Sequence, residues 1–163
     1  MLLVTDLGTS RHAILLLVWF AFFKISDNFI KLFCKLTNCK DLVVAGALLH
    51  DVGKLREISS QIGFPYTNEG RLLGHIAMSV MMVQEAAAKL KLPQARLEQL
   101  QHILLSHHGD NEKGSPVVCA TKEAFIVHYA DEIDAIMNQF ETYDDKSPWE
   151  FNKMMQRYLL HDK

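Results

Sequence analysis

The sequence predicts an all-α protein. Helical periods recur along the chain, no segment alternates apolar and polar residues for long, and capping and turn residues punctuate the apolar runs. Nearly half of the 163 residues (49%) are hydrophobic, so one domain can bury its own core without disulfides or a structural metal. The expected organisation is a single domain over residues 1–163 with about seven helices. Residues 1–40 supply N-terminal helices, 41–140 the core, and 147–160 a C-terminal helix.

In chain order, the most apolar run is Ala13-Ile-Leu-Leu-Leu-Val-Trp-Phe-Ala-Phe-Phe23. It has about half the ~20 residues that a membrane span needs, and Asp6 with no small-residue cleavage site argues against a signal peptide. A core helix is expected there, and its all-round apolar surface makes a homodimer possible. Asp41 is placed to cap a helix over Leu42–Leu49 that ends at Gly53. The longest helix is expected from about Arg71 to Leu90, with Met78, Met81 and Met82 filling core. Glu69 and Gly70 shape the turn before it. Pro93 starts the next helix, toward His107. The stretch from His108 to Pro116 is rich in turn formers and reads as a loop. Thr121 caps a helix carrying His128, Asp131 and Asp134 to about Phe140, and Ser147-Pro148 opens the last helix, to about Leu160.

Charged residues make up 22% and the net charge is −2, which does not suit a protein that coats nucleic acid. A nucleic-acid substrate would be a short piece held at the active site. Cys34, Cys39 and Cys119 show no paired metal-binding spacing, and three cysteines suit plain thiols in a reducing cytoplasm.

Chemistry concentrates in the histidines. His50-Asp51 closes the apolar run Val43–Leu49 and is followed by Val52-Gly53-Lys54. An imidazole, a carboxylate and an ammonium do not belong there unless something satisfies them, and a metal does so directly. Mixed nitrogen and oxygen donors suit Mn²⁺, Fe, Co²⁺, Ni²⁺ or Zn²⁺ better than Mg²⁺ or Ca²⁺. A hydrogen-bonded helix-end pair is the plainer reading of His50 and Asp51. His102 reads as structural or exposed, and His161, near the chain end, is given no role.

His50-Asp51-Val-Gly-Lys54 resembles the HDxGK signature of HD-superfamily phosphohydrolases. Asp131, within His128-Tyr-Ala-Asp131, is similar to that family's late aspartate. His75 and the pair His107-His108 resemble the extra histidines of its two-metal members. Thr67-Asn-Glu-Gly-Arg-Leu-Leu-Gly-His75, Ser106-His-His-Gly109, Gly114-Ser-Pro116 and Trp149-Glu-Phe-Asn-Lys153 look like the bacterial 3′-to-5′ exoribonucleases that join an OB domain to an HD domain. The likeness runs from about Asp41 to Tyr158, and no OB domain is expected within this chain.

The resemblance implies an HD helical bundle with a metal site between helices and a hydrolase acting on a phosphodiester in a nucleotide or short RNA. It implies that His12, His50, Asp51 and Asp131 hold one divalent metal and Asp51, His75, His107 and His108 a second. Asp51 would then bridge them. One of His107 and His108 can instead orient the other. Metal-activated water is the expected nucleophile. Lys54, a catalytic candidate beside Asp51, and Arg71 are expected to bind substrate phosphate, while His128 and Asp134 stand behind the ligands. Two alternatives are a mononucleotide phosphomonoesterase and a non-catalytic HD module that binds a partner. No Gly-Tyr-Pro run follows His107-His108, which argues against a cyclic-dinucleotide enzyme.

Overall fold

A computed structural model describes residues 39–141 and 148–161. Five helical segments and one hairpin follow in order: α1 (Lys40–Leu49), α2 (Lys54–Glu57), α3 (Asn68–Leu90), α4 (Gln94–Ser106), α5 (Lys122–Glu141), β1 (Trp149–Asn152) and β2 (Arg157–Leu160). The all-helical expectation is met in the body of the domain, but the described residues hold fewer than seven helices. His12, Cys34 and the apolar run Ala13–Phe23 lie outside the described residues.

The core forms where α1, α4 and α5 meet. Val43 and Ala47 of α1 pack with Ile103 of α4 and with Ala124, Ile126 and Val127 of α5. A second cluster joins Val83 and Ala87 of α3 to Leu97, Leu100 and Leu104 of α4. Burying each large aliphatic side chain contributes about 1.5–3 kcal/mol, so these clusters carry the scaffold on which the histidines stand. Gly46 lets α1 approach α4 closely, because a Cβ there would lie 2.7 Å from Ile103 Cγ2.

Several boundaries differ from expectation. α1 starts at Lys40 behind Cys39, so Asp41 lies in the first turn, where its charge favours the helix dipole, and does not cap it. α1 ends at Leu49, and Gly53 opens the short α2. α3 begins at Asn68, three residues before Arg71, because the Thr67 hydroxyl accepts the Gly70 N–H at 2.9 Å. Glu69 and Gly70 therefore sit inside the first turn of α3. Met78 is buried as expected, whereas Met81 is exposed. Thr121 caps α5 as expected, accepting the Ala124 N–H at 3.1 Å.

The largest correction is at the C-terminus, where the helix expected over 147–160 is replaced, among the described residues, by a hairpin. Trp149–Asn152 pairs antiparallel with Arg157–Leu160. Trp149, Phe151 and Tyr158 favour an extended chain, and Phe151 faces Tyr158 across the ladder with ring centroids 5.1 Å apart. Asn152 starts the turn by accepting the Met155 N–H, and Gln156 takes a positive φ of 52° within it. His161 is no frayed end, since it is buried against Phe140 and its N–H donates to the Pro148 carbonyl.

Candidate metal centre

Four segments converge on the side chain of Asp51. α1 ends one residue before His50, which turns back so that its Nδ1–H donates to the Ala47 carbonyl at 2.9 Å. α4 ends one residue before His107, whose Nδ1–H donates to the Leu104 carbonyl at 2.7 Å. In both cases a carbonyl left over at a helix C-terminus fixes the imidazole and turns Nε2 outward. His108 is held by the following loop, donating from Nδ1 to the Lys113 carbonyl at 3.0 Å. His128 on α5 donates from Nδ1 to the His107 carbonyl at 2.8 Å, which supports the backbone of the double histidine from behind.

The two oxygens of Asp51 face different neighbours. Oδ2 lies 3.4 Å from His50 Nε2 and 2.6 Å from Lys54 Nζ. His50 Nε2 is also 3.6 Å from Asp131 Oδ1. Oδ1 lies 3.5 Å from His75 Nε2 and 3.9 Å from His107 Nε2. His75, His107 and His108 can bring one donor atom each within 4.8 Å of one another. Of the seven residues expected as ligands, six are therefore gathered in one place, and His12 lies outside the described residues.

The donor chemistry fits a divalent metal. Asp51 Oδ1, His75 Nε2 and His107 Nε2 are buried with no hydrogen-bond partner among the described residues, and all three face inward to one another. Buried polar atoms left this way are costly unless something binds them. Burial and the neighbouring His50 push the His107 pKa down to about 3, and burial together with His75 lowers that of His108. Both rings are thus neutral donors. Burial pulls on His50 in the same sense, but the carboxylates of Asp131 and Asp51 close to its Nε2 outweigh it and raise its pKa to about 10. Burial works against the charge of Asp51 and Asp131 too, yet His50 holds both carboxyls below the usual carboxylate range, aided at Asp51 by Lys54. The same pair of carboxylates that favours positive charge on His50 would favour a divalent cation.

The glycine of the HDVGK turn has a steric reason. A Cβ at Gly53 would fall within 3.0 Å of the His75 carbonyl and the Ser79 nitrogen, so only glycine lets this turn lie against α3. The Gly53 N–H donates to Ser79 Oγ at 2.8 Å, and that hydroxyl donates to the His50 carbonyl at 3.0 Å. Ser79 and the buried Glu57 are participants that the sequence reading missed. Ser79 lies within an apolar run, and nothing in local spacing announces either contact. Glu57 Oε1 accepts from both the backbone and the ring of His75.

Other expected residues lie farther out. Arg71 is exposed, with its guanidinium 5.5 Å from the centre of the Tyr66 ring. Asp134 accepts from the Asn138 amide at 3.2 Å. His102 is structural, as expected: its Nε2 accepts the Ala120 N–H ahead of α5 at 3.0 Å. The Lys113 ammonium pairs with Glu132, whose other oxygen is 3.5 Å from His128 Nε2, tying the histidine loop to α5.

The family model that matches this chain is that of the HD domain, over residues 28–136. The chain belongs to the HD domain family. Within it, the chain is 46% identical over 102 residues to the 3′-5′ exoribonuclease YhaM of Bacillus subtilis, and 45% identical over 102 residues to the protein of that name from Bacillus licheniformis. Each alignment covers 63% of this chain and 32% of the relative, so the chain spans about a third of the length of these curated relatives. No solved structure matches. The HD signature itself, His50-Asp51, is the hub of the cluster described above. Among the described residues, no helix is long and apolar enough to cross a membrane.

Proposed function

We propose that this HD domain is a metal-dependent phosphodiesterase that removes nucleotides from the 3′ end of short single-stranded RNA. The reading is carried by the two oxygens of Asp51, each facing its own set of donors. His50, Asp51 and Asp131, with His12 as the fourth expected member, would hold one divalent metal. Asp51, His75, His107 and His108 would hold the other, with Asp51 as bridge. Mn²⁺, Fe²⁺, Co²⁺ or Ni²⁺ suits this mixed set, and Zn²⁺ or Mg²⁺ is the next choice. When bound, such a pair supplies Lewis-acid activation of water and charge stabilisation at the phosphorus.

The chain's own groups handle the rest. Lys54 is part-exposed beside Asp51, within reach of a phosphate oxygen at the mouth of the site. Arg71 lies four residues before His75, ahead of the kink at Gly74, and would offer a second cation for the substrate. The Tyr66 ring beneath it is half exposed and presents a stacking face for a base. The names of the Bacillus relatives favour RNA over a mononucleotide. The few cysteines and the RNA substrate fit the cytoplasm.

The test is degradation of a 5′-labelled single-stranded RNA with Mn²⁺ by the wild type and Asp51→Ala. A ladder shortening from the 3′ end, abolished in Asp51→Ala with its circular dichroism unchanged, is expected. Turnover of mononucleotides alone would make the protein a phosphomonoesterase. Metal binding with no turnover of either substrate would make it a partner-binding module.

A further inference from the structure

α3 is kinked immediately before the ligand candidate that it carries. Gly74 takes φ 70° and ψ 158°, outside the helical range, so the second half of α3 begins afresh at His75. A new helix start needs acceptors for its first N–H groups. The His75 N–H finds one in Glu57 Oε1 at 3.0 Å, and the same oxygen lies 3.3 Å from His75 Nδ1. One carboxylate oxygen, from a residue 18 positions earlier, thus receives both the backbone and the ring of His75.

We propose that Glu57 is a positioning residue for His75: it sets the rotation and tautomer of the ring and closes the restarted helix in one contact. With Nδ1–H donated to Glu57, the Nε2 lone pair faces Asp51 Oδ1 at 3.5 Å. A carboxylate behind a metal-ligating imidazole also makes that imidazole a better donor.

Glu57 is itself fixed on several sides. It is buried, at 7% exposure, and its carbonyl accepts the Thr67 N–H at 2.9 Å. The Thr67 hydroxyl donates to the adjacent Arg56 carbonyl at 2.8 Å. A Cβ on Gly70 would fall within 3.0 Å of the Glu57 backbone, so the first turn of α3 lies directly on the end of α2. The HDVGK turn, α2 and α3 therefore form one clamp whose output is the aim of His75.

This inference rests on His75 belonging to the metal set proposed above, and calorimetry separates the two. Mn²⁺ is titrated into the chelator-stripped wild type, Glu57→Gln, Glu57→Ala and His75→Ala, alongside melting curves without metal. Glu57→Gln keeps an acceptor for the N–H and loses the charge. It is expected to melt like the wild type without metal, to keep one Mn²⁺ site at wild-type affinity and to weaken the other about tenfold. Glu57→Ala is expected to weaken that site further and to melt lower. Wild-type affinity at both sites in Glu57→Gln would overturn the positioning role while leaving the metal set standing. Wild-type Mn²⁺ binding in His75→Ala would overturn both.

Discussion

The centre has two walls, built by different means. On one, His50 and His107 are oriented by carbonyls three residues back in their own helices. On the other, His75 is oriented by a carboxylate 18 residues away and lies across from a turn whose glycine has no room for a side chain. The first wall forms wherever its helices form. The second depends on the tertiary docking of α2 and the HDVGK turn against α3. Local contacts therefore set one half of the centre and long-range contacts the other, and the halves should fail differently.

The largest expected effect removes what both walls share. Asp51→Ala should lower phosphodiesterase activity by at least about 10³-fold, because the residue proposed to bridge both metals is lost. Steady-state assays at saturating Mn²⁺ check it, and residual activity within tenfold of the wild type would place the bridge elsewhere. On the local wall, Leu104→Ala should cost about 2–5 kcal/mol of stability, since Leu104 is fully buried. Its carbonyl remains in place to hold His107, so the folded fraction should bind metal as the wild type does; denaturant melts and metal titration read the two effects separately.

The long-range wall should behave the other way. Gly53→Ala should cost about 1–3 kcal/mol, as its Cβ meets the backbone of His75 and Ser79. It should also weaken the metal site that contains His75, even at temperatures where the protein is folded. A variant that is destabilised yet keeps both metal affinities would break the comparison. The smallest effect is expected for Thr67→Ala, about 1 kcal/mol in a urea melt, from loss of the α3 cap and of the bond to the Arg56 carbonyl.

This division also decides how much was legible in the sequence. His50-Asp51 at the end of an apolar helix and the paired His107-His108 could be read because local pattern and chemistry coincide there. Asp131 and His75 followed from their resemblance to the family's motifs, and the structure brings Asp131 to His50 and His75 to Asp51. Glu57 and Ser79 were not identified as working parts, and Gly70 was read only as a turn former, because their contacts join residues far apart in sequence and leave no local period. The C-terminal hairpin was misread as a helix for a related reason. Ser147-Pro148 is a valid helix opening, but the cross-strand pair of Phe151 and Tyr158 and the turn at Asn152 prevail over it. The extent of α3 was nearly right, although a φ of 70° at Gly74 hides a restart within what reads as one helix.

The most direct test of the central claim is the metal content of the wild type and of His75→Ala, purified without chelator and measured by elemental analysis. Two divalent metals per chain in the wild type and about one in the folded variant are predicted, because His75 would serve only one of the two donor sets that meet at Asp51. One metal or fewer in both proteins would contradict the bridging role of Asp51.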